Sequence, residues 1–200
     1  ILAQVHLAAA LFWARPRISL AMSAQQVIFD WVQAAEGMGP AAYVVVTLLV
    51  VAANILGVCP TTPLELAAGF LFGAVGGTAV SSAGKMIGGS CSFLGARYLA
   101  ARYGAQIPGA IAERMDALRR APLATVVGLR MAPLPLGVEN YGLGVTRFVT
   151  PAGAPAEWFP FSTFFWGSLL VDLPFSFVWA QAGSRAQSLA AALGGAEHTE

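Results

Sequence analysis

From residue 37 to residue 64 the chain carries no charged side chain. This run constrains the fold more than any other feature. Its middle, YVVVTLLVVAANILGV over residues 43–58, lies inside a 40–58 segment that reads as a transmembrane helix, because a bilayer core needs roughly 20 apolar residues to cross. Composition extends the same reading to the whole chain. Hydrophobic residues make up 57% and charged residues 10%, where a soluble domain carries about 25% charge. Mean hydropathy is +0.68. A chain of this kind cannot clothe a globular surface in polar side chains, which excludes a soluble enzyme, a coiled coil, a disordered tail and a disulfide-stapled secreted domain. The net charge of +1 offers no footprint for nucleic acid. Cys59, Cys91, His6 and His198 are too few and too scattered for a disulfide framework, a metal cluster or a nucleophile–histidine pair. No metal, no cofactor and no enzymatic activity are expected.

The expected division is an N-terminal region over 1–38, a membrane core over 39–185 and a polar tail over 186–200. Within the first region, the apolar residues 1–13 read as the remnant of a span or signal segment, with Arg15 and Arg17 behind them. Residues 23–36 place Val27 and Trp31 on one stripe, with Gln25, Gln26 and Asp30 interspersed, and read as an interfacial helix. Further on, Arg97, Arg102, Glu113, Arg114, Asp116, Arg119 and Arg120 mark a polar segment with an amphipathic piece at 110–118. Its excess of arginine predicts a cytoplasmic loop.

Two segments are broken. Around Glu65, the run CPTTPLE over 59–65 contains Pro60 and Pro63, and a short apolar piece then meets Gly69, Gly73, Gly76 and Gly77. Residues 64–72 would make about 13 Å of helix, enough only to enter a membrane and turn. The second break reads RMAPLPLGVENYGLG over 130–144, with Pro133, Pro135, Gly142 and Gly144. Pairs of Pro/Gly-broken apolar segments in two halves of a chain point to a substrate site at the membrane midplane, since irregular backbone at that depth needs protein or water around it. Between the breaks, a helix over 77–103 carries Gly77, Ser81, Gly84, Gly88, Ser92 and Gly95 at helical spacing, a stripe that predicts close packing against another helix. A last span is expected over 158–182, with Asp172 near its centre and Pro174 behind it.

These residues resemble a known family. Glu65…Gly69…Phe72-Gly73…Gly76, followed by the glycine-rich helix ending Phe93-Leu-Gly-Ala-Arg97-Tyr98, is similar to the first half of the DedA-like membrane proteins. These are also called the SNARE-associated or VTT-domain family. Arg130-x-x-Pro133-x-Pro135…Asn140-Tyr141…Gly144 is similar to their second half, and the resemblance covers about 60–183. It implies an all-α integral membrane protein with two opposing re-entrant hairpins forming an inverted repeat, and movement of phospholipids or lipid-linked phosphates between leaflets as a scramblase or flippase.

An ionisable side chain at the bilayer centre costs about 2.5–3.5 kcal/mol on insertion scales, so each one calls for a partner or a role. Glu65 and Arg130 stand at the mouths of the two breaks, and two readings stay open. Either they line a groove in which Arg130 grips phosphate through paired donors, or they form an ion pair with each other. Lys85 either serves the site or snorkels to an interface. Asp172 either exchanges protons or caps a turn broken by Pro174, and Asn140 beside Glu139 can satisfy free backbone groups. The expected partners are lipid headgroups and protons, and a second copy or another membrane protein is also in view. No nucleotide phosphate loop is present in the sequence, so transport would be passive or ion-driven. A proton-coupled small-solute transporter on the same architecture is the rival reading, and a non-transporting scaffold whose small-residue face recruits other membrane proteins is a third.

Overall fold

The computed structural model of the chain describes residues 37–57, 61–104, 107–148 and 157–196. The expectations for residues 1–36, for Cys59 and for Pro60 lie outside this set. Helix α1, Ala41–Leu56, follows Pro40 and stops at Gly57, whose φ of 67° turns the chain out of the helix. Helix α2, Thr62–Tyr103, opens with Pro63 in its first turn and is not continuous. At Gly73 the backbone adopts φ 71° and ψ 177°, a conformation open to glycine and strained for other residues. Of the glycines around it, this one alone leaves the helix. The chain reverses there: a methyl group at Gly77 would lie 2.6 Å from the backbone nitrogen of Gly69, whereas eight residues of straight helix would separate them by about 12 Å. The result is a helical hairpin with a short arm, 62–72, and a long arm, 74–103.

The polar segment forms two short helices, α3 (Gly109–Ala112) and α4 (Met115–Arg120), anchored by buried Ile111 and Leu118. Helices α5 (Pro122–Met131) and α6 (Leu136–Gly144) make a second hairpin. Ala132 and Pro135 are extended between them; for Ala132 this is expected, because Pro133 biases its predecessor away from helix. A two-residue antiparallel ribbon follows, β1 (Arg147–Phe148) with β2 (Glu157–Trp158), pairing Arg147 with Trp158. Helix α7, Phe161–Ala196, closes the chain. It runs through Pro174 without a break, so Asp172 caps no interrupted turn, and it continues helically into the expected polar tail. Trp158 belongs to the ribbon and not to this helix.

Among the described residues, two helices are long and apolar enough to cross a membrane: Thr62–Tyr103, most of it the long arm 74–103, and Phe161–Ser188. The distribution of side chains agrees with a lipid surround. Val44, Leu48, Ile87, Leu94, Trp166, Leu170, Phe177 and Val178 point outward, while Asn54, Glu65, Ser81, Ser92, Glu139, Asn140, Ser168 and Ser176 are buried. In water that arrangement would expose large apolar patches for no return. The main apolar core, Phe93, Leu118, Val126, Leu129, Leu143, Phe159 and Phe164, joins α2, α4, α5, α6 and α7 at one end. A smaller one, Val46, Ala68 and Val80, sits under the first hairpin.

The small-residue stripe packs against two neighbours. Gly77 meets the short arm, whereas a methyl group at Gly84 would lie 2.6 Å from Val50 Cβ and one at Gly88 2.6 Å from Asn54 Cβ, both on α1. Ser92 donates to the carbonyl of Asn54 at 3.2 Å. Gly95 departs from the expectation: it is exposed, with nothing within 4 Å of a methyl group placed there. The reason is length. Helix α1 runs alongside the long arm and ends at Leu56, so it has no residue left to meet Gly95.

Candidate functional site

Each hairpin is closed by an ion pair between its own two arms. In the first, Glu65 comes from the short arm and is 1% exposed. Its Oε1 lies 2.8 Å from Lys85 Nζ on the long arm and accepts a hydrogen bond from Thr61 Oγ1 at 2.8 Å. Helical side chains lean toward the N-terminus of their helix, which carries the lysine stem back along the long arm to Glu65. Lys85 therefore does not snorkel; its side chain is 10% exposed and paired.

In the second hairpin Arg130, at the end of α5, faces α6 across the Pro133 and Pro135 turn. Its Nη1 donates to Glu139 Oε2 at 3.1 Å and its Nη2 to Asn140 Oδ1 at 2.7 Å. Nε and Nη2 both donate to Ser168 Oγ of α7, at 3.1 and 2.8 Å. The guanidinium also lies over the Phe164 ring, 5.2 Å from its centroid. The fork geometry of arginine makes this possible, since its N–H groups diverge in one plane toward three partners. Asp172 stands one turn beyond Ser168 on α7, half-buried and near enough for its charge to act on Glu139.

The expected contact between Glu65 and Arg130 is not present. Each is paired within its own hairpin, Glu65 with Lys85 and Arg130 with Glu139. The two pairs are nonetheless neighbours. Gly89 on the long arm abuts Asn140, whose Oδ1 would be 3.7 Å from a methyl group there. Lys85 is one turn, about 6 Å, before Gly89 on the same helix face. Glu65, Lys85, Arg130, Asn140 and Asp172 are thus gathered by four helical elements.

The motif residues build this arrangement. Gly69 fits directly against the Ala180 backbone of α7, and Gly144 against the Phe93 carbonyl. The Tyr141 hydroxyl donates to the Ile55 carbonyl, and the Gly137 amide to the Gly57 carbonyl at 3.0 Å, which ties α6 to the end of α1. Sequence reasoning missed Ser168 and left Glu139 undecided. The available signal for Ser168 was its place four residues before Asp172, on the same face of α7. It also missed an arginine–aromatic cluster at the ribbon, where Arg147 lies 3.8 Å and Arg97 5.4 Å from the Trp158 ring centroid. Arg97 donates to the Phe159 carbonyl as well.

The fold and the buried charges define a helical, membrane-associated protein. A family model for the VTT domain matches residues 59–185, and the chain belongs to that family. No curated protein and no solved structure matches the chain.

Proposed function

We propose that this protein moves phospholipids or lipid-linked phosphates between the leaflets of a membrane it crosses several times, through a groove between two re-entrant hairpins. The observation that carries this reading is the pairing of charges within each hairpin, Glu65 with Lys85 and Arg130 with Glu139, inside a bundle whose outer face is apolar. Membership in a membrane-associated family with proposed transport and flippase roles supports it. An ion pair confined to one hairpin can open without separating the two halves of the fold. A phosphate, like the Glu139 carboxylate, accepts charge-assisted hydrogen bonds from a guanidinium, so a headgroup can take the place of Glu139 while its tails stay in lipid. Transport of this kind needs no covalent chemistry from the protein.

The nearness of Asp172 to Glu139 favours a second reading, a proton-coupled transporter of small solutes.

The test is reconstitution into liposomes carrying fluorescent phospholipids, with and without a pH gradient. Scrambling predicts that the fraction open to an outer quencher rises from about half to nearly all without a gradient, as leaflets equilibrate. It also predicts that Arg130→Gln abolishes the rise. Movement only under a gradient supports coupled transport, and no movement under either condition removes the lipid reading. For the hairpins, cysteines at Thr61 and Phe72, in a background lacking Cys59 and Cys91, should react with an impermeant thiol reagent from the same face. Labelling from opposite faces would make 61–72 a span.

A further inference from the structure

Three helices cross at Gly69, and one turn from that crossing three buried oxygens have no partner. Gly69 of the short arm is pressed against Gly77 of the long arm and against the backbone of Ala180 in α7. Four residues along each helix stand Glu65, Ser81 and Ser176. They lie on the same side of the crossing. The long arm is antiparallel to the short arm, because Lys85, beyond Ser81, bonds to Glu65. It is antiparallel to α7 as well, because Phe93, sixteen residues beyond Gly77, stacks on Phe164, sixteen before Ala180, at 4.4 Å. All three residues are at most 1% exposed. Glu65 Oε2, Ser81 Oγ and Ser176 Oγ nevertheless have no hydrogen-bond partner among the described residues.

A buried hydroxyl left unpaired is costly and uncommon. The usual escape inside a helix is a bond back to the carbonyl four residues earlier. Thr47, Thr78 and Thr125 all take it, whereas Ser81, its neighbour Ser82 and Ser176 do not. We infer that Glu65, Ser81 and Ser176 together bind an internal water that bridges the short arm, the long arm and α7. The chemistry selects a neutral ligand. The Lys85 ammonium on the other oxygen of the same carboxylate repels a cation, and the carboxylate repels an anion. A water can donate to Glu65 Oε2 and to one serine and accept from the other, about the three bonds that buried waters make. The inference does not depend on lipid movement and can be tested in protein that moves none.

The experiment is thermal unfolding of the full chain in detergent, followed by tryptophan fluorescence, for Ser81→Ala, Ser176→Ala and the double variant. Removing a dry, unpaired hydroxyl raises Tm. Removing one that holds the water lowers it, by about 2–4 °C for a chain of this size. The double variant should lose less than the two singles added together, because either change already releases the shared water. A rise in either single, or strict additivity, overturns the site. Replacing sodium chloride with choline chloride should leave the wild-type Tm unchanged; a sodium-dependent rise that Ser81→Ala abolishes would make the ligand a cation instead. If the variants do not fold, oxygen-17 relaxation dispersion on the wild type decides, and a spectrum without a long-lived internal water refutes the proposal.

Discussion

Replacing Glu65 with Gln tests the assignment of charges most directly. Glu65 is buried, and Lys85 Nζ is 2.8 Å from its Oε1. Breaking a buried pair by removing one partner costs roughly 3–5 kcal/mol. Glutamine can still accept from Thr61 and from the ammonium, which sets Glu65→Gln near the lower end, about 3 kcal/mol. Lys85→Met leaves a buried carboxylate without its counter-charge, and belongs near the upper end, about 5 kcal/mol. With about 2–4 °C of Tm per kcal/mol for a chain of this size, Glu65→Gln should melt some ~6–12 °C below the wild type. The double variant Glu65→Gln with Lys85→Met removes both charges and should recover most of the loss. By contrast, Glu65→Gln combined with Arg130→Gln should be additive within about 0.5 kcal/mol, because those residues belong to separate pairs. Thermal unfolding of the five variants in one detergent completes both cycles. Stronger coupling of Glu65 to Arg130 than to Lys85 would refute the pairing within hairpins.

Gly88→Leu should lower Tm by driving α1 away from the long arm, whereas Gly95→Leu, which meets nothing within 4 Å, should leave it unchanged; equal losses would show that the stripe is not an interface. Gly73→Ala should cost about 1–3 kcal/mol from backbone strain alone, because φ 71° with ψ 177° is a region essentially confined to glycine. Gly69→Ala, whose methyl group collides with the Ala180 backbone, should cost more in the same melting assay, and the reverse order would mean that the hairpin is not packed on α7. Ser168→Ala strips the acceptor from two Arg130 donors and should cost about 1.5–3 kcal/mol. An unchanged Tm would mean that Glu139 and Asn140 hold the guanidinium without it.

Both chain reversals were legible in the sequence because proline and glycine act on their own backbone. Pro133 and Pro135 forbid helix locally, and Gly73 permits a turn locally, whatever surrounds them. The pairing of charges was not legible. Which cation meets Glu65 depends on how closely the two arms fold together, and that is decided by Gly69 and Gly77 in backbone contact, not by anything near Glu65 itself. The stripe was read as six residues because periodicity reports only one helix; the end of its partner at Leu56 is a property of another segment. Pro174 misled in the opposite sense. It removes one backbone donor from α7, yet the tertiary packing of Ser168, Ser176 and Ala180 on either side keeps the helix continuous. Within the site, residue types carried the signal for Glu65, Lys85, Arg130, Asn140 and Asp172. For Ser168 the sequence offered only its place one turn before Asp172; its role became visible once α7 was laid against Arg130.

The ion pair within the first hairpin also bears on how the protein is made. Lys85 lies twenty residues behind Glu65 in the chain, so the carboxylate leaves the ribosome first and waits for its counter-charge. At roughly 5–20 residues per second, the wait is about 1–4 s. If the hairpin is re-entrant, as proposed, a nascent chain carries Glu65 unpaired through that interval, facing the ~2.5–3.5 kcal/mol that a charge at the bilayer centre costs on insertion. The short arm is therefore a poor candidate to enter the bilayer alone. In the re-entrant architecture proposed above, it waits in the insertion machinery or at the lipid surface until the long arm arrives, and the two arms enter as one neutral unit hinged at Gly73.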